Sequence, residues 1–340
     1  MRSILIAMLL SGAAFGLSDG LAMAAQQTAG KKDIVIRFGN QPGIATASIV
    51  KRYGWLEKDG YTVTWINFND AGSEMRALAA GELDVMLAGA APEMILSSKY
   101  EGSWFVAGPL TNGNQLMVPV NSSAKSVKDL KGNRIAYPGP ASQQFALIAT
   151  ALHQAGMKPN DLDLYKSAAP DMLALMQRKE IDGFMAWTPF TSEAERQGAG
   201  RVLLNAQDVF AQVGGKGEWI SEGYVASKDF AEKHADALVD IMKAVARSVR
   251  MMREHEMEAV AALSAETGLK KETIAYAVDR KFAIFPPSIV PDPGTVESMV
   301  KIFSQADLIE GIDIPSFVRK FNHPEFAKKA EAALDEEGKK

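Results

Sequence analysis

Two segments of the chain repeat one pattern, in which an amphipathic helix is followed by Glu-Leu-Asp or Glu-Ile-Asp and then by a short buried strand. The segments span residues 75–89 and 172–187. Asp84 and Asp182 occupy equivalent positions and lie 98 residues apart, which is the size of a domain. The repeat predicts two similar lobes built from helices and strands. A chance agreement between two ordinary helix-to-strand junctions is the alternative.

Short strand-like runs alternate with helical runs from Asp33 onward. In the first part of the chain, strands are expected at 34–38, 61–68 and 84–87, and helices at 46–56 and 73–80. After Lys228 the chain is largely helical, with helices expected at 235–253, 256–267, 271–282 and 295–307. Strands that are separated by helices pair in parallel, so the expected fold class is α/β with two parallel-sheet lobes.

Two further strand-like runs, 115–120 and 221–227, are flanked by Gly, Asn or Ser and are predicted as crossings between the lobes. These crossings assign residues 33–115 and 227–322 to a discontinuous first lobe and residues 121–218 to the second lobe. Residues 323–340 are rich in charge and are expected to form a solvated tail helix.

The first 24 residues have the pattern of an export signal. Arg2 is the basic start, residues 4–17 are mostly apolar, and the triplet Ala-Met-Ala at 22–24 is a small-x-small cleavage site. The apolar run is too short for a membrane span. We therefore expect the mature chain to begin near Ala25 and to be periplasmic.

Composition and motifs exclude several function classes. A formal net charge of −4 argues against nucleic acid or an anionic membrane surface as a partner. The chain has no cysteine, which excludes disulfides and thiolate catalysis. Its four histidines lie far apart without metal-binding spacing, and the part of the chain after the predicted export signal has no catalytic Ser elbow, P-loop or dinucleotide-binding glycine motif. We expect no enzyme activity, no metal and no cofactor.

An ordered set of motifs resembles the nitrate, sulfonate and taurine group of ABC-transporter substrate-binding proteins. The motifs are FGNQPG at 38–43, YGWLEKDGYTVTWINF at 53–68, ALAAGELDVMLAGAAPEM at 77–94, SVKDLKGNRIAYPGPASQQF at 126–145, MAWTPF at 185–190 and YVASKDFAEKHADAL at 224–238. The resemblance implies a two-lobed periplasmic binding protein of type II, with lobes that are joined by two crossing strands and close on a small ligand. It also implies a monomer that hands the ligand to an ABC permease in the inner membrane. The alternative is a periplasmic module that reports its ligand to a membrane receptor.

The stretch YPGPASQQF at 137–145 joins a predicted strand to a predicted helix. Its Pro-Gly-Pro turn places residues 141–144 at a helix N-terminus, where unpaired N–H groups and the positive end of the helix dipole attract an anion. The uncharged side chains add hydrogen bonds that select shape, and a simple N-cap role for Ser142 is an equal alternative. The expected ligand contacts in this stretch are Gly139, Ala141, Ser142, Gln143 and Gln144.

The motif GAAPE at 89–93 predicts a second helix N-terminus that faces the ligand, because Pro92 suits a first helical turn. The expected contacts are the amides of Ala90 and Ala91. The resembled family commonly carries Asp and a hydroxyl residue in this motif, and this chain lacks both. A taurine-type zwitterion is therefore less expected, because its ammonium group needs a carboxylate partner.

Five further residues are expected to line the cleft. Trp187 and Thr188 lie in MAWTPF, where the resembled family often has Trp-Asp, and the indole is expected to stack on the ligand unless it is only structural. Asn40 and Gln41 follow the first strand and offer polar contacts. Glu222 lies beside a crossing and either meets a cationic group of the ligand or is an exposed strand charge.

The sequence leaves the ligand open. An uncharged helix end fits an organic sulfonate, a carboxylate or nitrate. A neutral pyrimidine-type thiamine precursor is a further alternative. For Asn112 and Asn114, which lie between strand-like runs, a plain turn is the favoured interpretation.

Overall fold

The chain folds around two sheets, each at the centre of one lobe. The computed structural model describes residues 30–41 and 43–339, so the predicted export signal lies outside the described residues. The first sheet contains β1 (Val35–Asn40), β2 (Thr62–Asn67), β3 (Val85–Gly89), β4 (Ser103–Asn112), β10 (Ile220–Ser227) and β11 (Ala283–Ile284). The second contains β5 (Asn114–Pro119), β6 (Arg134–Tyr137), β7 (Asp163–Lys166), β8 (Gly183–Trp187) and β9 (Gly200–Asn205). The spatial orders are β11-β4-β10-β3-β1-β2 and β7-β6-β8-β5-β9.

Helices separate the strands and cover the sheets. Before β4 these are α1 (Thr46–Tyr53), α2 (Trp55–Lys58), α3 (Ala71–Ala79) and α4 (Ala90–Ser97). The second lobe has α5 (Gln143–Gln154), α6 (Ala169–Gln177), α7 (Phe190–Arg196) and α8 (Ala206–Gln212). After β10 come α9 (Lys228–Lys233), α10 (Ala235–Glu254), α11 (Glu256–Thr267), α12 (Lys271–Asp279), α13 (Pro293–Gln305), α14 (Ile314–Phe321) and α15 (Glu325–Glu337). Single 3-10 turns occupy Lys31–Asp33, Val127–Leu130 and Pro159–Asp161. In the described ranges, no helix combines the length and apolarity needed to cross a membrane.

The repeated sequence pattern corresponds to the same structural unit in both lobes. The units are α3 with β3 and α6 with β8, and each of these strands pairs in parallel with an earlier strand of its own sheet, β1 or β6. Asp84 accepts a hydrogen bond at 2.8 Å from the backbone N–H of Arg37, and its own N–H donates to the Arg37 carbonyl at 2.9 Å. Asp182 makes the same pair of bonds with Arg134, both at 2.8 Å. The repeat therefore reflects two similar lobes rather than coincidence.

The sheets are mixed rather than purely parallel. Strands β1, β2 and β3 pair in parallel, as do β6, β7 and β8, but β10 runs antiparallel to β3 and β4, and β5 runs antiparallel to β8 and β9. The antiparallel strands are the runs that the sequence analysis interpreted as crossings. Their strand character is confirmed, but each lies within one sheet, because an apolar strand pattern does not show which sheet the strand joins.

The chain passes between the sheets at Gly113 and again at residues 213–219. Gly113 is the only residue between β4 and β5, and its φ of 65° is left-handed. A Cβ atom on Gly113 would lie 2.1 Å from Ser221 Oγ. The preceding Asn112 is also left-handed, with φ 66°, which Asn tolerates better than most residues, and its side-chain amide donates to the Lys281 carbonyl at 2.7 Å. The first crossing therefore requires glycine for both conformation and space.

The predicted tail helix is confirmed as α15, but it packs against the first lobe instead of lying in solvent. Its buried side chains are Phe326, Ala327, Ala330 and Leu334. On its other side, Glu337 forms ion pairs with Lys243 at 2.9 Å and Arg247 at 2.8 Å, both on α10. The apolar residues recur at helical spacing among the charges, and this stripe was underweighted in the sequence analysis.

Replacing Gly113 with Ala is expected to destabilise the protein by about 2 kcal/mol or more, from left-handed strain together with overpacking against Ser221. Gly81→Ala is the matched control, because Gly81 has φ 74° but no atom within 4 Å of an added Cβ. Gly81→Ala should lose only the part of the free energy of unfolding that the left-handed backbone strain accounts for. Chemical denaturation measures both values, and equal losses for the two variants would contradict the contact with Ser221.

Candidate functional site

A cavity of about 470 Å³ lies between the lobes. It is bordered by residues that follow β1, β2 and β3 in the first lobe and β6, β7 and β8 in the second. These are the carboxyl ends of the parallel strands, where open α/β sheets bind ligands. The cavity is large enough for a small organic molecule.

Nine of the residues selected from the sequence line this cavity, namely Gln41, Gly139, Ala141, Ser142, Gln143, Gln144, Trp187, Thr188 and Glu222. Three do not. Ala90 and Ala91 are fully buried at the start of α4. Asn40 lies at the end of β1 with 8% of its surface exposed, and its Oδ1 atom has no hydrogen-bond partner in the described ranges. Gly89 and Pro92, beside Ala90 and Ala91, do border the cavity, but the N–H of Ala91 is taken by a side chain from the other lobe.

The helix N-terminus expected after the Pro-Gly-Pro turn is present, and Ser142 caps it. Ser142 Oγ accepts from the N–H of Phe145 at 3.1 Å and donates to the Gly139 carbonyl at 2.7 Å. Helix α5 therefore begins at Gln143, and the N-cap interpretation of Ser142 is confirmed. Gln143 and Gln144 both line the cavity, and the backbone N–H groups of a first helical turn have no partner within the helix.

A network of neutral amides connects α5 to the first residues of β5 and β10, which follow the two crossings. Gln143 Oε1 accepts from the Ala91 N–H at 2.9 Å, and Gln143 Nε2 donates to the Ser221 carbonyl at 2.9 Å. Gln144 donates to Asn114 Oδ1, and Asn114 in turn donates to Ser221 Oγ at 2.7 Å. Asn114 thus contributes to the cavity wall, where a plain turn was expected. The network holds uncharged donors and acceptors at fixed positions between the lobes.

Charged residues at the edge of the cavity give it a net positive charge. Asp70 caps α3 through a bond of 2.9 Å from the N–H of Ser73. Burial raises the pKa of Asp70, but the bonds from Ser73 and the charges of Arg76 and Lys166 outweigh it, so the pKa is lowered and the carboxylate is ionised. Within the described part of the chain, Lys166 forms no salt bridge. One carboxylate therefore faces two cations.

The sequence analysis missed Asp70, Arg76 and Lys166. Asp70 and Lys166 follow or end strands β2 and β7. The rule that ligands bind at the carboxyl ends of parallel strands applies to those two strands as well, and it would have selected both residues. Gly139 and Lys166 also contact each other across the sheet edge, since a Cβ atom on Gly139 would lie 3.3 Å from Lys166 Cε. The Lys166 side chain therefore runs beside the turn that begins α5.

Glu222 is buried rather than exposed at its carboxyl group. It lies opposite Gly89 in the pairing of β10 with β3, borders the cavity, and has an Oε2 atom without a hydrogen-bond partner among the described residues. Burial raises the pKa of Glu222 to about 8, although a hydrogen bond from the Thr46 backbone opposes the shift. At neutral pH the carboxyl group is mostly protonated, so it does not cancel the positive charge at the cavity edge.

Two more carboxyl groups are buried behind the cavity wall. Glu74 and Glu93 are both 0% exposed. Burial raises the pKa of Glu74 to about 8, against the opposing effect of a 2.6 Å hydrogen bond from Gln41 Nε2. Burial and the neighbouring Glu74 both raise the pKa of Glu93 well above its ordinary value. Glu74 is therefore mostly protonated at neutral pH, and the pKa of Glu93 is shifted in the same direction.

Trp187 reaches from the second lobe towards the first. It pairs with Asn114 in the sheet, and its ring meets Phe190 edge to face at a centroid distance of 5.5 Å. A Cβ atom on Gly43 would lie 3.1 Å from the indole nitrogen. The indole thus forms an apolar wall of the cavity and also contacts the opposite lobe.

Comparisons with known proteins agree with the fold. Residues 27–265 match the NMT1-like family. The chain belongs to the NMT1-like family. Among its sequence relatives, the taurine-binding periplasmic protein of Escherichia coli is 32% identical over 196 residues, which cover 57% of each chain. A putative aliphatic sulfonates-binding protein of the same organism is 27% identical over 259 residues, which cover 75% of this chain and 77% of the relative. This NMT1-like chain thus aligns with little more than half of the first relative and three quarters of the second.

Solved structures show the same two-lobed fold. The crystal structure of the periplasmic aliphatic sulphonate binding protein from Escherichia coli has a TM-score of 0.68 and 24% identity, and the match covers 83% of this chain and 90% of that one. The periplasmic nitrate-binding protein of Synechocystis has a TM-score of 0.69 and 16% identity, with 88% and 89% covered. These similarities confirm a periplasmic binding protein fold, as the sequence motifs indicated.

The buried Glu74 predicts a loss of stability with rising pH. Its pKa is about 8 in the folded protein and near 4.5 in an unfolded chain, so the unfolded state releases its proton first as the pH rises. The contribution of Glu74 to the free energy of unfolding should therefore be fully present below pH 4.5 and should be lost as the pH rises towards 8. Glu93 contributes with the same sign.

Glu74→Gln keeps the shape and cannot ionise, so it should flatten part of this decline and raise the melting temperature at pH 8 by roughly 5 °C. The exposed Glu82→Gln is the control and should leave the pH profile of the wild type unchanged. Melting temperatures measured from pH 5 to pH 8 test the prediction. A Glu74→Gln profile parallel to that of the wild type would show that Glu74 ionises normally in the folded state.

Proposed function

We propose that this protein is the periplasmic solute-binding component of an ABC importer. It captures a small organic anion, such as a sulfonate, a carboxylate or a nitrate-like ion, by closure of its lobes and delivers it to the permease as a monomer. The names of the sequence relatives, which are binding proteins for taurine and aliphatic sulfonates, support this class of function.

The observation that carries the proposal is the group of donors at the start of α5. The backbone N–H groups of Gln143 and Gln144 lie at the positive end of a helix of 12 residues. Lys166 lies beside the preceding turn, and the nearby Glu222 is protonated at neutral pH. A single anionic group placed there gains charge-assisted hydrogen bonds without facing a buried carboxylate.

The rest of the cavity suits a short, uncharged ligand body. Trp187 supplies an apolar face, and Gln144 and Asn114 supply neutral polar groups. Closure is supported by the contributions of both lobes to the same walls, since a ligand that contacts both lobes favours the closed arrangement. The ligand would therefore have an anionic head at α5 and a body against the indole.

A neutral pyrimidine-type thiamine precursor is the second candidate, and the environment of Glu222 favours it. A protonated carboxyl group both donates and accepts hydrogen bonds, as a ring nitrogen with an adjacent amino group requires. Gln144 and Asn114 could hold the remaining polar atoms of such a ring. This candidate leaves Lys166 without a role, so the anion is preferred.

Calorimetry with taurine, alkanesulfonates, an aromatic carboxylate and nitrate tests the proposal. For the tightest ligand in this panel, Ser142→Asp should weaken binding by about tenfold, because Asp keeps the helix cap but places a negative charge beside the anion. Ser142→Asn is the matched control, because it is also a good cap and is neutral, and it should bind within about threefold of the wild type.

Two results would contradict the anion proposal. One is that the wild type binds none of the panel while it binds an aminopyrimidine. The other is that Ser142→Asp and Ser142→Asn bind the anion equally well, with both variants folded. The first result would favour the neutral pyrimidine, and the second would place the charged end of the ligand away from α5.

Export is tested separately. Protein isolated from the periplasm should begin near Ala25 when its N-terminus is sequenced, because the basic start, the apolar run and the Ala-Met-Ala triplet form one cleavable signal. An intact Met1 in that fraction would contradict the predicted cleavage.

A further inference from the structure

Helix α4 in the first lobe begins without a cap of its own. Its N-cap residue is Gly89, which has no side chain to accept a hydrogen bond, and its third residue is Pro92, which has no N–H group. Two backbone donors, those of Ala90 and Ala91, therefore need partners from elsewhere. Because the cavity adjoins Gly89 and Pro92, an anionic group of a ligand is the expected partner at such a helix end.

The partner in this structure is Gln143 of the second lobe. Its Oε1 atom accepts from Ala91 N–H at 2.9 Å, while its Nε2 atom donates to the carbonyl of Ser221 at 2.9 Å. Gln143 is 3% exposed, so both bonds are shielded from water. The two bonds satisfy the amide group and hold it against the first lobe.

The opposite lobe has the space that this side chain needs. A Cβ atom on Gly89 would lie 3.0 Å from Gln143 Cβ and 3.1 Å from Gln143 Oε1. A larger residue at position 89 would push the side chain away from the start of α4. The glycine that leaves α4 uncapped is therefore also the residue that lets Gln143 cap it from across the cleft.

We propose that Gln143 determines which anions the cavity accepts, because its amide oxygen occupies the N-terminus of α4 in place of a second ligand oxyanion. The inference rests on the proposed function and narrows it. Of the helix ends of α4 and α5, which face each other at the cavity, only that of α5 is left for an anion. The protein therefore selects ligands with one anionic group and discriminates against those with two.

The probes for the test are ethanesulfonate, which has one anionic group, and 1,2-ethanedisulfonate, which has two. The wild type should bind ethanesulfonate at least as tightly as the disulfonate. In Gln143→Ala the amide of Ala91 loses its partner and becomes available, so the affinity for the disulfonate, relative to ethanesulfonate, should rise by about tenfold or more. Calorimetry measures the two ratios.

The backbone amide of Ala91 reports where the ligand lies. In ¹⁵N NMR titrations, the Ala91 signal of the wild type should stay in place with either probe, and in Gln143→Ala it should shift with the disulfonate. Gln143→Glu keeps the side-chain length and an acceptor for Ala91 but adds negative charge, so it should not gain disulfonate binding. Gln154→Ala makes the same truncation on the exposed end of α5 and should behave as the wild type.

The inference is wrong if the wild-type Ala91 signal shifts on addition of the disulfonate, because Gln143 would then give way to the ligand. This measurement needs no variant and holds even if Gln143→Ala fails to fold. It is also wrong if folded Gln143→Ala shows the wild-type ratio of affinities. The proposed function fails in a different way, namely if the wild type binds no sulfonate, carboxylate or nitrate.

Discussion

The two-lobed arrangement depends on the passage of the chain through Gly113. This residue is the whole connection between β4 and β5, and it packs against Ser221, which lies at the start of the strand that returns the chain to the first lobe. The first crossing therefore lies against the strand that follows the second crossing. Because both sheets are fixed at this point, the carboxyl ends of their parallel strands face one another, and the cavity lies between them.

The charges of the cavity follow from burial. Carboxyl groups on its inner side, of which Glu222 is the nearest, are removed from water and keep their protons at neutral pH. At the edge of the cavity, the cations Arg76 and Lys166 outnumber the carboxylate of Asp70, whose pKa they lower. Although the whole chain carries a net charge of −4, the cavity is therefore positive and attracts an anion.

Local sequence patterns predicted the features of the fold that depend on residues close together in the chain. The repeat that contains Asp84 and Asp182 indicated two lobes, because each Asp forms the same hydrogen bonds with the adjacent strand. The Pro-Gly-Pro turn located the start of α5 to within two residues. Two other features depend on contacts between distant segments, and no local pattern encodes them. One is the hydrogen bond of Gln143 across the cleft, and the other is the pairing of residues 115–120 in the second sheet. The raised pKa of Glu74 likewise depends on burial by elements far away in the chain.

The central claim is that a small organic anion lies between the lobes with its charged end at α5. A crystal structure of the wild-type protein with the tightest ligand of the panel tests it most directly. The account predicts ligand density in the cavity, with the anionic group within hydrogen-bond distance of the Gln144 N–H or Lys166 Nζ and the body against Trp187. Ligand density outside the cavity, for example in the groove beside Trp104 and Phe317 on the first lobe, would contradict it.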